Sequence, residues 1–143
     1  MGAIGTKRRK DEISRSATFP QVPKMCFGFS YVSSNKHYGL TACGERKVYE
    51  DLLVKLCELS HFSLSDAIRM NKQQGMEWIP YQELSKPMQQ VCDHTSIVAS
   101  DAKLIVFRFA KGKCRLICQK DDVHGNLMHI IAFDTDFSAY NHG

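Results

Sequence analysis

Arg108, Arg115, His129, Asp134, Tyr140 and His142 fall within residues 108–142 of this 143-residue chain, and their types are those that metal-free cleavage of RNA requires. Such chemistry needs a base, an acid and a cation to meet the charge that develops on phosphorus. Histidine supplies the first two, arginine the third, and a carboxylate orients a ring. His142 is the penultimate residue, and chain ends fray, so a frayed end competes with a catalytic role for it.

The elements that would position these groups are three apolar runs separated by turn signals. Residues 103–110 are β-branched and aromatic, Lys111-Gly112 is a two-residue turn, residues 113–119 form the partner strand, and 127–134 form a third. In that register Ala110 pairs with Lys113, so Arg108 lies across from Arg115 on one face. Opposed like charges weaken a strand pair, so an anion belongs between them. The internal candidate is Asp134, which a four-residue turn at 122–125 places beside Lys113 on that face. The external one is a phosphate or carboxylate gripped by two guanidinium forks. The internal pair is the commoner use of such clusters. The opposite face holds Phe107, Phe109, Leu116, Cys118, His129, Ile131 and Phe133 and reads as core, with His129 a hydrogen-bonded core histidine. One residue of slip would turn it the other way.

Upstream, residues 25–32 alternate as a strand with Phe27, Phe29 and Tyr31 on one face, and 38–42 reads as a returning strand after a polar turn. From 45 to 60, Val48, Leu52, Leu56 and Leu59 recur at helical spacing, which predicts a long amphipathic helix. Ser63 followed by Asp66 resembles a capping box, and Gly75 a stop, for a short helix over 64–74. Residues 76–81 read as an edge strand because of Pro80, and Pro87 opens a brief helix to Cys92. The fold class expected is α+β: an N-terminal strand, one long helix with one or two short ones, and a C-terminal antiparallel meander whose one face packs on the long helix. The other face is where function would sit.

Six cysteines show no CxxC pair. Zinc held by Cys92, His94, Cys114 and Cys118 fails because Cys114 and Cys118, four apart on a strand, stand roughly 13 Å apart. Asp134 and Asp136 are better explained by turn chemistry than by a hard cation, and no cysteine pairs specifically with a histidine as nucleophile. No metal or cofactor is expected. Trp78 and Tyr81 could stack a base, although aromatics beside a proline more often line a core edge.

The chain carries a net charge of +4, and all of the excess lies in residues 1–24, where Lys7, Arg8, Arg9, Lys10, Arg15 and Lys24 outnumber Asp11 and Glu12. The expected organisation is a basic, flexible tail over 1–24 and a single domain over 25–143. The run from Lys7 to Lys10 fits a phosphate or acidic-partner contact through counterion release, although four-residue basic runs are common and more often a solubilising tail; Met25 as the natural start is a third reading. No stretch before residue 25 supplies the roughly 7 to 15 apolar residues of a secretory signal, and Asp11 and Glu12 disfavour a mitochondrial presequence. No run approaches the ~18 apolar residues of a membrane span. A cytosolic protein without membrane contact is expected.

The sequence Leu-Met-His-Ile-Ile-Ala-Phe-Asp followed by Thr-Asp-Phe-Ser-Ala-Tyr-Asn-His, behind an Arg-bearing strand, resembles a little-characterised group of small bacterial and phage-borne proteins whose sheet ends in Asp, two or three residues, an aromatic or His, and Tyr. The aromatic strand over 27–32 and the Tyr-Glu-Asp-Leu-Leu-Val-Lys-Leu-Cys-Glu-Leu-Ser helix over 49–60 also fit. The resemblance covers about 25–143; Thr135, Asp136 and Phe137 stand where the group tends to have Pro and His. It implies a toxin-like or phage-defence role directed at RNA. The function expected is a metal-independent endoribonuclease with Arg108 and Arg115 on phosphate, His129 or His142 as acid or base, and Asp134 orienting. The rival is a noncatalytic inhibitor or adaptor that binds RNA or an acidic protein through its basic tail.

Overall fold

The computed structural model describes residues 22–69 and 76–141. Lys7, Arg8, Arg9, Lys10, most of the predicted tail, the end of the predicted second helix and His142 lie outside the described residues. Among those described, the chain runs β1 (Cys26–Gly28), α1 (Arg46–Leu59), α2 (Leu64–Arg69), β2 (Met76–Pro80), α3 (Lys86–Thr95), β3 (Lys103–Phe109), β4 (Cys114–Lys120) and β5 (Leu127–Asp134). The protein is α+β, with three α-helices and one five-stranded sheet among the described residues, in the order β1-β5-β4-β3-β2. The sheet is mixed, because β1 pairs in parallel with β5 while every other pair is antiparallel. No helix among the described residues is long and apolar enough to cross a membrane.

Local chemistry accounts for the helices. The spacing of Val48, Leu52, Leu56 and Leu59 turns one stripe of α1 inward, with Leu52 and Leu59 buried. At α2 the capping box closes both ways: the Asp66 amide donates to Ser63 Oγ at 3.1 Å and the Ser63 amide to Asp66 Oδ2 at 3.2 Å. Ser85 caps α3 by accepting the Met88 amide at 3.3 Å, and Pro87 occupies the first turn, where a missing N–H has no consequence. Residues 38–42, expected as a strand, instead lead into a single 3₁₀ turn over Leu40–Cys43. Tyr38 meets β5 through one backbone bond, its carbonyl accepting the Phe133 amide at 2.8 Å, before the chain winds into that turn.

Helices cover the sheet on both sides. One core sets Ile105, Phe107, Phe109, Leu116, Cys118, Met128, Ile130 and Phe133 against Leu52, Leu59 and Ala67 of α1 and α2. The other sets Leu104, Val106, Ile117, Ile131 and Ala132 against Met88, Val91 and Cys92 of α3, with Tyr38, Ala139 and Tyr140. The second face, expected to be the open functional surface, is therefore a second core. This is why β3 and β4 read as continuous apolar runs rather than as alternation.

Two changes of register decide which side chains meet. Lys111 and Gly112 both take left-handed φ, 56° and 81°, as a two-residue hairpin turn demands, and Arg108 faces Arg115 as the spacing predicts. The β4–β5 turn sets Gln119 opposite His129, one residue from the expected register. His129 and Ile131 consequently move to the face away from Phe107. A bulge at the Ile117/Cys118 step adds one more residue of offset, so Phe133 keeps its expected face and Asp134 lies opposite Arg115 rather than Lys113.

Candidate functional site

The ionisable groups collect at one end of the second core, where β3, β4 and β5 are capped by the segment 135–140. Arg115 enters from β4 with its side chain only 4% exposed, and Asp134 enters from β5 fully buried; Nη1 lies 3.4 Å from Asp134 Oδ2. The same nitrogen donates to the Tyr140 carbonyl at 3.2 Å. The guanidinium carbon lies 3.8 Å from the centroid of the Tyr140 ring and 4.1 Å from that of Phe137, so the cation is stacked between two aromatic rings. Asp134 also receives the amides of Ser138 at 3.1 Å and Ala139 at 3.2 Å. Burial pushes its carboxyl up, and these two amides and Arg115 pull it back. The internal ion pair is what relieves the opposed arginines.

Glu77, a carboxylate within an otherwise apolar β2, completes the cluster. It accepts a hydrogen bond from the Tyr140 hydroxyl, and Arg108 Nη2 approaches it at 3.8 Å from a side chain that is 34% exposed. Burial, then the bond to Glu77, raises the Tyr140 phenol well above its ordinary range. The signal in the sequence was a single acid inside Met-Glu-Trp-Ile-Pro. Among the expected site residues, Arg108, Arg115 and Asp134 therefore lie at one end of the sheet, Arg115 paired with Asp134 and Arg108 beside Glu77, while Arg115 Nε is buried without a hydrogen-bond partner among the described residues.

Beside them lies a second network with the residue types of a serine hydrolase. Ser138 Oγ lies 3.0 Å from His37 Nε2, 2.8 Å from the Tyr38 hydroxyl and 2.6 Å from Asp136 Oδ1. The other Asp136 oxygen lies 3.0 Å from the same His37 Nε2. A nucleophile–base pair needs the carboxylate on the opposite ring nitrogen, leaving Nε2 free to take the hydroxyl proton. Here the carboxylate draws the N–H of Nε2 and the O–H of Ser138 to itself. The bond from Ser138 is the main reason the Asp136 carboxyl is held below its ordinary value. The network ties the 135–140 segment to residues 37 and 38.

His129 stands apart, near the opposite end of the sheet. Its Nε2 meets Asp121 Oδ1 at 2.7 Å, its ring packs edge-on against Tyr31 at 5.1 Å, and its Nδ1 is buried without a hydrogen-bond partner among the described residues. The bond from His129, followed by the His124 amide, holds the Asp121 carboxyl at about 2. Because this folded value lies below the ordinary carboxylate value of about 4, Asp121 stabilises the fold above pH 4, and that contribution disappears as pH falls through about 2. Asp121→Asn is expected to flatten the dependence of the urea midpoint on pH across that window. An unchanged acid slope would show that the pair contributes nothing.

Trp78 is 38% exposed on edge strand β2, where Pro80 pairs with Lys103 at the strand's end. No group of three or more histidine, cysteine, aspartate or glutamate side chains among the described residues could hold a metal ion. A polar cleft of about 480 Å³ runs between residues 30–35 and the Pro87, Gln90, Val91, His94 and Thr95 face of α3. It is separate from the arginine cluster.

Fold and cluster together define a class: a two-core α+β protein whose mixed sheet is stapled at one end by a buried arginine and the strap over 135–140. No protein-family model, no curated protein and no solved structure matches the chain.

Proposed function

We propose that the chain is an RNA-directed interaction module that binds without cutting. The observation that carries the noncatalytic half is the state of Arg115 and Asp134, with side chains 4% and 0% exposed. A cation stacked between two rings and a carboxylate engaged by two amides cannot reach a scissile phosphate, and His129 sits at another part of the sheet. Four cysteines, Cys43, Cys92, Cys114 and Cys118, are buried, and burial pushes each of their thiols up. They are thus poor nucleophiles and suit a reducing, cytosolic setting. The RNA half rests on the run Lys7, Arg8, Arg9 and Lys10, with exposed Trp78 as a stacking surface.

Labelled single-stranded RNA incubated with the full chain in EDTA is expected to be retained and left intact. Replacing Lys7, Arg8, Arg9 and Lys10 with alanine removes up to four phosphate contacts. It should make the slope of log affinity against log salt shallower by about 3, at about 0.7 per contact for single strands. Cleavage by the full chain would overturn the noncatalytic reading, and an unchanged salt slope would remove the basic run from the interface.

A further inference from the structure

Pro87, Gln90, Val91 and His94 stand at the spacings that put them on one side of α3, and that side lines the polar cleft of about 480 Å³, a volume within the roughly 300–1,000 Å³ of small-molecule sites. Val91 is 4% exposed and part of the second core, so the cleft rests on packed side chains, while Gln90 and His94 are exposed. The opposite wall is fixed before any ligand arrives. The Ser33 amide donates to the Ile131 carbonyl at 2.9 Å, Ser33 Oγ accepts the Asn35 amide at 3.0 Å, and Asn35 Oδ1 accepts the His37 amide at 2.7 Å. Tyr31 is held nearly perpendicular to the ring of His129. Walls held in this way cost little to order on binding.

Hydrogen-bonding capacity inside the cleft is unspent. The Tyr31 and Ser34 hydroxyls, the Gln90 amide group and the His94 ring make no hydrogen bond among the described residues, and no lysine, arginine, aspartate or glutamate lines the cleft. Charge lies at its rim instead. Lys36 follows Asn35 and Lys86 precedes Pro87; both are exposed, and neither has an ion-pair partner among the described residues. A neutral interior with donors, acceptors and an aromatic ring, bordered by two cations, matches a nucleotide, whose flat base carries donors and acceptors on its edge and is joined to an anionic phosphate. A neutral sugar would account for the interior and leave the two lysines without a purpose.

We propose that this cleft is a nucleotide site that takes one unstacked base of single-stranded RNA, stacked on Tyr31 and hydrogen-bonded by Ser34, Gln90 and His94, with Lys36 and Lys86 on the adjoining phosphates. As a seat for RNA the cleft rests on the RNA-directed reading above; as a nucleotide site it does not. Heteronuclear NMR on the full chain titrated with the four ribonucleoside monophosphates should show saturable shifts clustered at residues 30–35 and 87–95. Gln90→Ala, at an exposed position with no contact to lose, should weaken that binding about fivefold, the loss of one or two hydrogen bonds. Circular dichroism and the salt slope of RNA affinity should stay as in the native chain. The absence of saturable shifts in the cleft overturns the nucleotide site, even where RNA is retained through the basic run. Equal binding of ribose, which lacks both base and phosphate, overturns it in favour of a carbohydrate. Saturable shifts in the cleft from a chain that retains no RNA support the nucleotide site and overturn the RNA-directed reading.

Discussion

Arg115→Met is expected to lower the free energy of unfolding by about 3–5 kcal/mol, the range for removing one member of a buried ion pair, and the melting temperature by on the order of 10–20 °C. The methionine fills much of the space between Phe137 and Tyr140, so a cavity is not the main cause. What remains is Asp134, fully buried, with its amide partners and no cation. The Tyr140 carbonyl also loses its donor. The pH dependence separates this account from simple loss of packing. Burial already pushes the Asp134 carboxyl up, and loss of Arg115 pushes it further. A group whose folded pKa is raised opposes folding most when it is ionised. The deficit of the variant relative to the native chain should therefore narrow as pH falls through the raised value. A deficit under about 1 kcal/mol, or one independent of pH, would show that the pair contributes little.

The same geometry sets what the cluster can be used for. Arg115, Asp134, Glu77 and Tyr140 join β2, β4, β5 and the strap in a single polar network, in which Arg115 Nε alone of the guanidinium is buried without a hydrogen-bond partner among the described residues and faces aromatic rings instead. Ser138 connects that network to His37 and Tyr38, so the end of the sheet is tied to the segment ahead of α1. Variants here are expected to act through stability. RNA retention per folded molecule should follow the basic run instead.

Much of this arrangement was legible in the residues. The stripe of Val48, Leu52, Leu56 and Leu59, the Ser63–Asp66 box and the Lys111-Gly112 turn are local signals whose physics does not depend on the rest of the chain, and each forms as its spacing demands. The opposed arginines, and the anion they need, follow from that turn alone. Longer-range facts were not legible. A β4–β5 turn one residue different from 122–125 moves His129 and Ile131 to the other face, and a bulge leaves no mark in the alternation of an all-apolar run such as Ile130, Ile131, Ala132 and Phe133, so neither those faces nor the partner of Asp134 could be fixed. The second core was missed because Met88, Val91 and Cys92 lie on a ten-residue helix too short for its period to announce a buried side. The parallel pairing of β1 with β5 joins elements about a hundred residues apart, and only tertiary packing decides it.

Gly39→Ala is the other substitution expected to be severe, and the reason is space rather than backbone freedom. Gly39 has φ −82° and ψ −173°, extended values open to any residue. A Cβ there would stand 2.6 Å from the Asn35 carbonyl oxygen, with that of Ser33 nearer still, and both obstacles are backbone. Neither yields easily. The Gly39 amide donates to the Asn35 carbonyl at 2.6 Å, the Ser33 amide holds the bulged Ile131 at 2.9 Å, and the Phe133 amide donates to the Tyr38 carbonyl at 2.8 Å. Relief of the clash must therefore move Tyr38, which is 3% exposed, and with it the Ser138 contact that anchors the strap. The expected loss is about 2–3 kcal/mol, the upper part of the range for overpacking a well-filled site. Gly125→Ala is the control, because a Cβ at Gly125 meets nothing within 4 Å; it should change stability by no more than about 0.5 kcal/mol. Urea midpoints of the two variants that coincide would mean the 33–39 turn opens at little cost, and that Tyr38 is not fixed by the close approach of Gly39 to the carbonyls around it.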